Sequence, residues 1–272
     1  QRQMCIRDSG FNKITAPWQQ HYTSPDCIAT RKAMEDVMRF WLDAGCDGFR
    51  VDMAACLVKN DDDHAATAEI WRNVREMLDQ NYPEAAMVSE WSDPDKAINR
   101  SRFHMDFYLN HRGNGYYSLF RKTSNDGNPL SFFSKQGQGN IMEFLDDYLP
   151  KYNVSKSEGY ISFITCNHDT PRMTLGYDNS ECKIAYSFLL TMPGVPFIYY
   201  GDEIGLQYFK LTSVEGGYNR TGTRTPMQWT NGNNLGFSNA DKEKLYLPVD
   251  GRDCAPTAVS YTHLMLPTIY SV

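Results

Sequence analysis

Residues 28–44 (IATRKAMEDVMRFWLDA) place Met34, Val37, Met38, Trp41 and Leu42 on one face at helical spacing, with Gly45 following as a stop, which predicts an amphipathic helix. Cys46 to Asp52 (CDGFRVD) has the character of a short buried strand that ends in polar residues. A second helix is predicted over about 64–80, where Ile70, Val74, Met77 and Leu78 recur on one face and Asp63 is placed to cap it. Ala85 to Ser89 is again a short apolar run, and it ends at Glu90. Asp93-Pro94 opens a short helix as N-cap plus Pro. Phe103 to Leu109 reads as a strand and 110–139, rich in Gly, Asn and Ser, as a long loop with a helical piece. Ile141 to Leu149 and Cys182 to Met192 are helical by spacing, and Tyr160 to Cys166 and Val195 to Tyr200 are strands. Five strands alternating with helices predict an α/β fold, a parallel sheet with covering helices, with no solenoid repeat and no sign of a second domain.

The strands end on polar or acidic residues: Asp52, Glu90, Asn167-His168-Asp169 and Gly201-Asp202-Glu203. In a barrel of parallel strands such ends gather on one rim, where chemistry is placed. Five strands cannot close that barrel, so the sheet is either open or part of a barrel whose other strands lie elsewhere.

Composition narrows the partner. With 272 residues, 41% of them hydrophobic, the chain can build one sizeable core. A net charge of −6 offers no basic footprint for nucleic acid or an anionic membrane surface, and no run approaches the roughly 18 apolar residues of a membrane span. A neutral small molecule is the expected partner. The aromatic content of 13% suits a cleft that stacks flat ligands, and suits an ordinary core as well. Seven cysteines (Cys5, Cys27, Cys46, Cys56, Cys166, Cys182, Cys254) are widely spaced without a CxxC, which predicts free thiols and leans towards a reducing, cytoplasmic compartment. Asp61-Asp62-Asp63 reads as a solvated loop with a helix cap rather than a calcium site, and His21, His64, His104 and His111 lack metal-ligand spacing, so no metal ligand is assigned.

The two ends share an origin. Codons for Met4-Cys5-Ile6-Arg7-Asp8, read in reverse complement, encode Val-Ser-Tyr-Thr-His, the peptide at Val259 to His263. Both ends resemble one translated sequencing adapter in opposite orientations. Residues 1–9 and 259–272 are therefore expected to be scars, and the natural protein to continue beyond both.

Five motifs, in order, carry a specific resemblance. Gly48-Phe49-Arg50-Val51-Asp52, Val88-Ser89-Glu90-Trp91, Asn167-His168-Asp169 and Gly194-Val195-Pro196-Phe197-Ile198-Tyr199-Tyr200-Gly201-Asp202-Glu203 resemble the ordered motifs of the α-amylase family of glycoside hydrolases. Arg224-Thr225-Pro226-Met227-Gln228-Trp229 resembles the members acting on short oligosaccharides: α-glucosidases, oligo-1,6-glucosidases and trehalose synthases. The resemblance implies that 10–258 is the C-terminal half of a (β/α)8 barrel, about its strands 4–8. It implies a retaining hydrolase of short α-glucan oligosaccharides with Asp52 as nucleophile, Glu90 as acid/base and Asp169 as the third carboxylate. Retention by double displacement needs two carboxyl groups about 5–5.5 Å apart. Asp52 and Glu90, 38 residues apart, can meet at adjacent strand ends. Arg50, two residues before Asp52, shares its strand face and can pair with it. His168 and Arg224 are implied as substrate-binding residues, the latter pairing with an acid from elsewhere, and Trp91 as either a sugar platform or core packing.

Departures qualify the resemblance. Ala55 and Cys56 stand where calcium-dependent amylases commonly carry Lys and His, which tilts away from a starch endo-amylase; no cofactor is required and calcium is left open. The family's early Asp- and His-bearing motif has no counterpart before residue 45. Transglycosylation or isomerisation of the trehalose-synthase type is the alternative chemistry. A catalytically inactive binding subunit is the alternative class, disfavoured because Asp52, Glu90, Asp169, Arg50 and His168 are all present. The 272-residue chain by itself is expected to be inactive.

Overall fold

In the computed structural model, residues 10–110, 113–122, 130–137, 139–211, 218–253 and 255–260 are described. Residues 1–9 and 261–272, with Cys5, Cys254 and His111, lie outside them. The chain divides into two compact units, one of residues 1–111, 142–163 and 193–195, the other of 112–141, 164–192 and 196–272.

All five expected strands form: β1 (Gly48–Val51), β2 (Ala86–Ser89), β3 (Met105–Tyr108), β4 (Tyr160–Ile164) and β5 (Val195–Phe197). They make one sheet in sequential order β1-β2-β3-β4-β5, and the pairs β1–β2, β2–β3 and β3–β4 are parallel. Sequential parallel order without reversal is the winding of a (β/α)8 barrel, of which this is a portion, and not that of a doubly wound sheet. Gly48 starts β1 because nothing larger fits: its φ is +145°, and a Cβ there would lie 1.9 Å from the Ala86 carbonyl oxygen.

In the first unit, α1 (Pro25–Asp43) begins three residues before its apolar pattern, with Ser24 as N-cap and Pro25 at the first position. Its apolar face is only half used. Leu42 is buried and Met38 packs on the core, whereas Met34, Val37, Phe40 and Trp41 are about half exposed or more. The stripe spans more of the helix surface than β1 and its neighbours cover, so only the Met38–Leu42 row reaches the core. Helix α2 (Ala65–Asn81) buries Ile70, Val74, Met77 and Leu78 as its spacing predicts. Capping differs from expectation. Asp63 accepts only from the Ala65 amide at 3.3 Å, while the buried Asp61 accepts from the Thr67 amide at 2.8 Å and the Ala66 amide at 3.3 Å. The reason is His64, whose φ of 60° turns the chain so that Asp61, three residues before this N-cap, faces the free amides of the helix. Asp62, at the surface, pairs with Lys13. The core joins Leu42, Ala54, Val74, Met77, Leu78, Ala85, Met87 and Phe103, with Phe49, Val51 and Trp91 packed on it. Asp93 caps the following π-helical turn (Asp95–Arg100) through the Lys96 amide. Helix α4 (Ile141–Ser155) continues through Pro150, where the sequence suggested a stop, because Tyr152 stacks on Tyr148 at 5.5 Å and Ser155 is buried.

The second unit holds α3 (Gly115–Phe120) and α5 (Asn179–Thr191). Helix α5 starts three residues earlier than its apolar run because Asp178 and Glu181 form a capping box: Asp178 accepts from the Glu181 amide at 2.9 Å and Glu181 from the Asp178 amide at 2.7 Å. Among the described residues all cysteines are free, with Cys27, Cys166 and Cys182 buried. No helix among them is long and apolar enough to cross a membrane.

The uneven use of the α1 face predicts a split response to substitution. Leu42→Ala should cost roughly 2–5 kcal/mol, whereas replacing Met34, Val37 and Phe40 together by Lys, Glu and Gln should leave the melting temperature within a few degrees and reduce self-association of the chain. Denaturant titration and sedimentation velocity check the two halves.

Candidate active site

The register Val51↔Ser89 fixes the heart of the first unit's site, because the next residues along the two strands are Asp52 and Glu90. The ladder extends one step further, the Glu90 amide donating to the Val51 carbonyl at 3.0 Å. Arg50, on the same face as Asp52, bridges both acids: Nη1 lies 2.5 Å from Asp52 Oδ1 and Nη2 2.7 Å from Glu90 Oε1. The other Glu90 oxygen accepts from the Met53 amide at 3.1 Å. Two negative groups within reach of one substrate would otherwise repel, and a planar guanidinium with one arm on each offsets that repulsion while fixing their spacing. Asp52 is the more open, with 62% of its side chain exposed against 19% for Glu90. One acid thus stands open to solvent and the other is largely enclosed.

Both turns that leave these strands carry backbone strain. Met53, directly after Asp52, has φ 44°, and Ser92, two after Glu90, has φ 65°, a region that non-glycine residues enter at a cost of about 1 kcal/mol or more. Trp91 packs against the core and meets the His64 ring edge-on at 5.2 Å, so the packing reading of this Trp is the one observed. Beside the Glu90 turn lies a group that sequence reading did not single out. Asp106 of β3 is fully buried; its Oδ1 accepts from the Ser89 hydroxyl at 2.6 Å and the Ser92 amide at 3.2 Å, while its Oδ2 is buried without a hydrogen-bond partner. Burial pushes this carboxyl up to about 7, against the lowering effect of Ser89 and of the nearby amides.

In the second unit, His168, Asp169 and Arg224 converge. Arg224 Nη2 lies 2.7 Å from Asp169 Oδ1, and its Nε donates to the His168 carbonyl at 2.7 Å. His168 Nε2 is 3.3 Å from Asp169 Oδ2. The acid expected to pair with Arg224 is therefore Asp169 itself. Arg220, which sequence reading passed over, adds a contact of 3.3 Å to the same oxygen. Further in, Arg172 is completely buried: its Nη1 donates to the Tyr200 carbonyl at 2.7 Å and to Asp202 Oδ1 at 3.2 Å, and its guanidinium sits 4.8 and 4.9 Å from the Tyr199 and Tyr200 ring centres. Asp202 also accepts from Thr165 and Cys166. Burial raises the Asp202 carboxyl, opposed chiefly by Arg172. Asp202 is thus enclosed, with 3% of its side chain exposed. Arg172 and Asp106 escaped sequence reading because charged residues are seldom fully buried and nothing local marks the exceptions. For Arg220 the only signal was its distance of four residues from Arg224. Among the described residues no three His, Cys, Asp or Glu side chains gather as a metal site.

The structure thus brings Arg50, Asp52 and Glu90 together in one unit and His168, Asp169 and Arg224 in the other. Sequential parallel strands that carry an acid–guanidinium–acid cluster at their carboxyl ends define an α/β fold of the barrel class. The chain belongs to the alpha-amylase family, whose catalytic-domain model matches residues 20–259. It is 30% identical over 262 residues to the trehalose synthase/amylase TreS of Mycolicibacterium smegmatis, covering 84% of this chain and 42% of that protein. To maltase A2 of Drosophila melanogaster it is 27% identical over 266 residues, covering 84% and 43%. A solved variant of trehalulose synthase MutB shares the fold at a TM-score of 0.66 and 19% identity, over 94% of this chain and 55% of that one. The chain spans about 42% of the length of these curated relatives.

Asp106 and Arg172 give two stability predictions. The folded chain holds the Asp106 proton more tightly than an unfolded chain with the ordinary value of 3.8, so this group's contribution is complete below about pH 4 and is lost as pH rises to about 7. Asp106→Asn should therefore flatten the stability profile between those limits, gaining on the parent towards pH 8; denaturant titrations at pH 4.5 and 8 measure it. Arg172→Met leaves Asp202 buried without its cation and should cost about 3–5 kcal/mol in the same assay.

Proposed function

We propose that this chain carries the bond-breaking residues of a retaining enzyme acting on α-linked glucosides, most simply a hydrolase of short α-glucan oligosaccharides. The observation that carries this reading is Arg50 holding Asp52 and Glu90 side by side at adjacent strand ends. Asp52, the open carboxylate, attacks the anomeric carbon. Glu90 delivers a proton to the departing oxygen, and then takes one from the water that breaks the glycosyl–Asp52 ester. Bond by bond, the acetal C–O breaks as the ester forms, and the ester breaks as water adds, so configuration is retained. Asp169, steadied by Arg224 and His168, is proposed to bind sugar hydroxyls, with Arg224 and His168 beside it in substrate binding and Arg50 supporting the pair of acids. No cofactor enters these steps.

A second reading rests on likeness to trehalose synthase/amylase TreS, at 30% identity over most of the chain. Every step to the covalent intermediate is shared, and a second sugar hydroxyl replaces water in the last one. Products from maltose distinguish the two: glucose alone supports hydrolysis, and a non-reducing disaccharide supports isomerisation.

In the full-length protein that contains this chain, Asp52→Asn should reduce turnover of aryl α-glucosides by at least about a thousandfold while leaving circular dichroism and melting unchanged. Retained turnover in the folded variant sinks the nucleophile assignment. Loss of fold would instead show that Asp52 serves the Arg50 bridge first.

A further inference from the structure

Glu90 is the first residue past β2, so its placement depends on what holds the residues to either side. On one side is Ser89, fully buried, whose hydroxyl donates to Asp106 Oδ1 at 2.6 Å. On the other is Ser92, whose amide donates to that same oxygen at 3.2 Å and whose hydroxyl accepts from the Leu109 amide at 3.1 Å. A single carboxyl oxygen, anchored in the middle of the sheet, therefore grips the chain just before and two residues after Glu90. Ser92 is the strained point of the turn at φ 65°, and such a conformation persists only where its surroundings enforce it.

Asp106 is an expensive way to supply that grip. Its position on β3 pairs with Ser89 in a sheet flanked by Met105 and Phe107, where an apolar residue would be buried at no electrostatic cost. Its Oδ2 makes no hydrogen bond, so the carboxyl is not there to complete a network within the core. The hydroxyl and amides that it engages all belong to residues 89–93, the segment bearing Glu90. A group that costs stability and acts only on the support of a reactive residue is expected of a site built for placement rather than for folding. We propose that Asp106 is a positioning residue for Glu90, fixing through Ser89 and Ser92 the turn that presents the acid. This rests on Glu90 being the acid/base.

The test reads proton delivery. In the full-length protein that contains this chain, kcat/KM is measured on aryl α-glucosides of graded leaving-group acidity and on α-glucosyl fluoride, whose leaving group departs without protonation. The variants are Asp106→Val, Asp106→Asn and Ser89→Ala, with Glu90→Gln as reference. Asp106→Val should lose about tenfold or more on the poorest leaving group, with the loss shrinking towards none on the fluoride. Asp106→Asn, which keeps an acceptor oxygen for Ser89 and Ser92, should recover most of it. Ser89→Ala removes the hydroxyl that Asp106 Oδ1 holds just before Glu90 while leaving Asp106 in place, so it should fold and still show the leaving-group dependence, which keeps the test decisive should Asp106→Val fail to fold. An equal loss on all substrates, or no loss in folded Asp106→Val and Ser89→Ala, overturns the proposal while Glu90→Gln keeps its own dependence. If Glu90→Gln shows no leaving-group dependence, the acid assignment falls and the positioning role falls with it.

Discussion

Two carboxylates held at adjacent strand ends repel each other. Arg50 resolves this by placing one arm of its guanidinium on Asp52 and the other on Glu90. The arrangement is available only because β1 and β2 pair in parallel with Val51 opposite Ser89. A shift of one residue in that register would turn Asp52 and Arg50 to the other face of the sheet and leave Glu90 alone. Gly48 guards the register at its start, since any side chain there would collide with the Ala86 carbonyl. Thus a steric constraint at the beginning of a four-residue strand settles the electrostatics at its end.

The same economy recurs around the acids. Positive-φ residues follow both of them, Met53 after Asp52 and Ser92 after Trp91, and each contributes its amide to a carboxyl group: Met53 to Glu90, Ser92 to Asp106. A relaxed turn would point those amides elsewhere. Strain is therefore coupled to hydrogen bonding at a carboxylate in both turns. Much of the stability needed to hold them comes from the apolar cluster beneath, where Leu78 and Met87 are fully buried and Trp91 packs alongside. In the second unit the buried Arg172–Asp202 pair shows a different balance. Desolvation of both ions is only partly offset by tyrosine faces, hydroxyl and thiol donors and a backbone carbonyl, since Arg172 Nε and Nη2 are buried without a hydrogen-bond partner, so the pair specifies local structure more than it adds net stability.

The elements were largely legible in the sequence because they are short and strongly patterned. All five strands, the buried face of α2 and the acids at the strand ends could be placed from apolar runs and their polar termini. Helix boundaries were not, wherever capping chemistry decided them: Asp61 rather than Asp63 satisfies the amides of α2, and Asp178 with Glu181 starts α5 ahead of its apolar run. The face of α1 misled for another reason. Periodicity reports which side of a helix is apolar, and not how much neighbouring surface exists to cover it, so Trp41 and Phe40 stand exposed. Within the site, residues carried by ordered motifs were identifiable one by one, but their partners were not. That Arg224 meets Asp169, that Arg220 joins it, and that Asp106 lies under the Glu90 turn are facts of tertiary contact between segments far apart in the chain.

Membership of the alpha-amylase family and the acid–guanidinium–acid cluster speak to different questions. On the proposed reading the cluster bears on how a glucosyl group is taken from its donor, a step shared by hydrolysis and isomerisation. Which acceptor receives the glucosyl group depends on how long the leaving sugar is retained and how well water is kept away from the ester. On the same reading neither property resides in Asp52, Glu90 or Arg50, whose geometry would serve an attacking water and an attacking sugar hydroxyl alike, since both would give up their proton to the same base. Divergence of product within such a family is therefore expected to leave the strand-end carboxylates untouched and to fall on loops that hold the second sugar. That is why residues this well matched in type and order define the reaction class more sharply than the product.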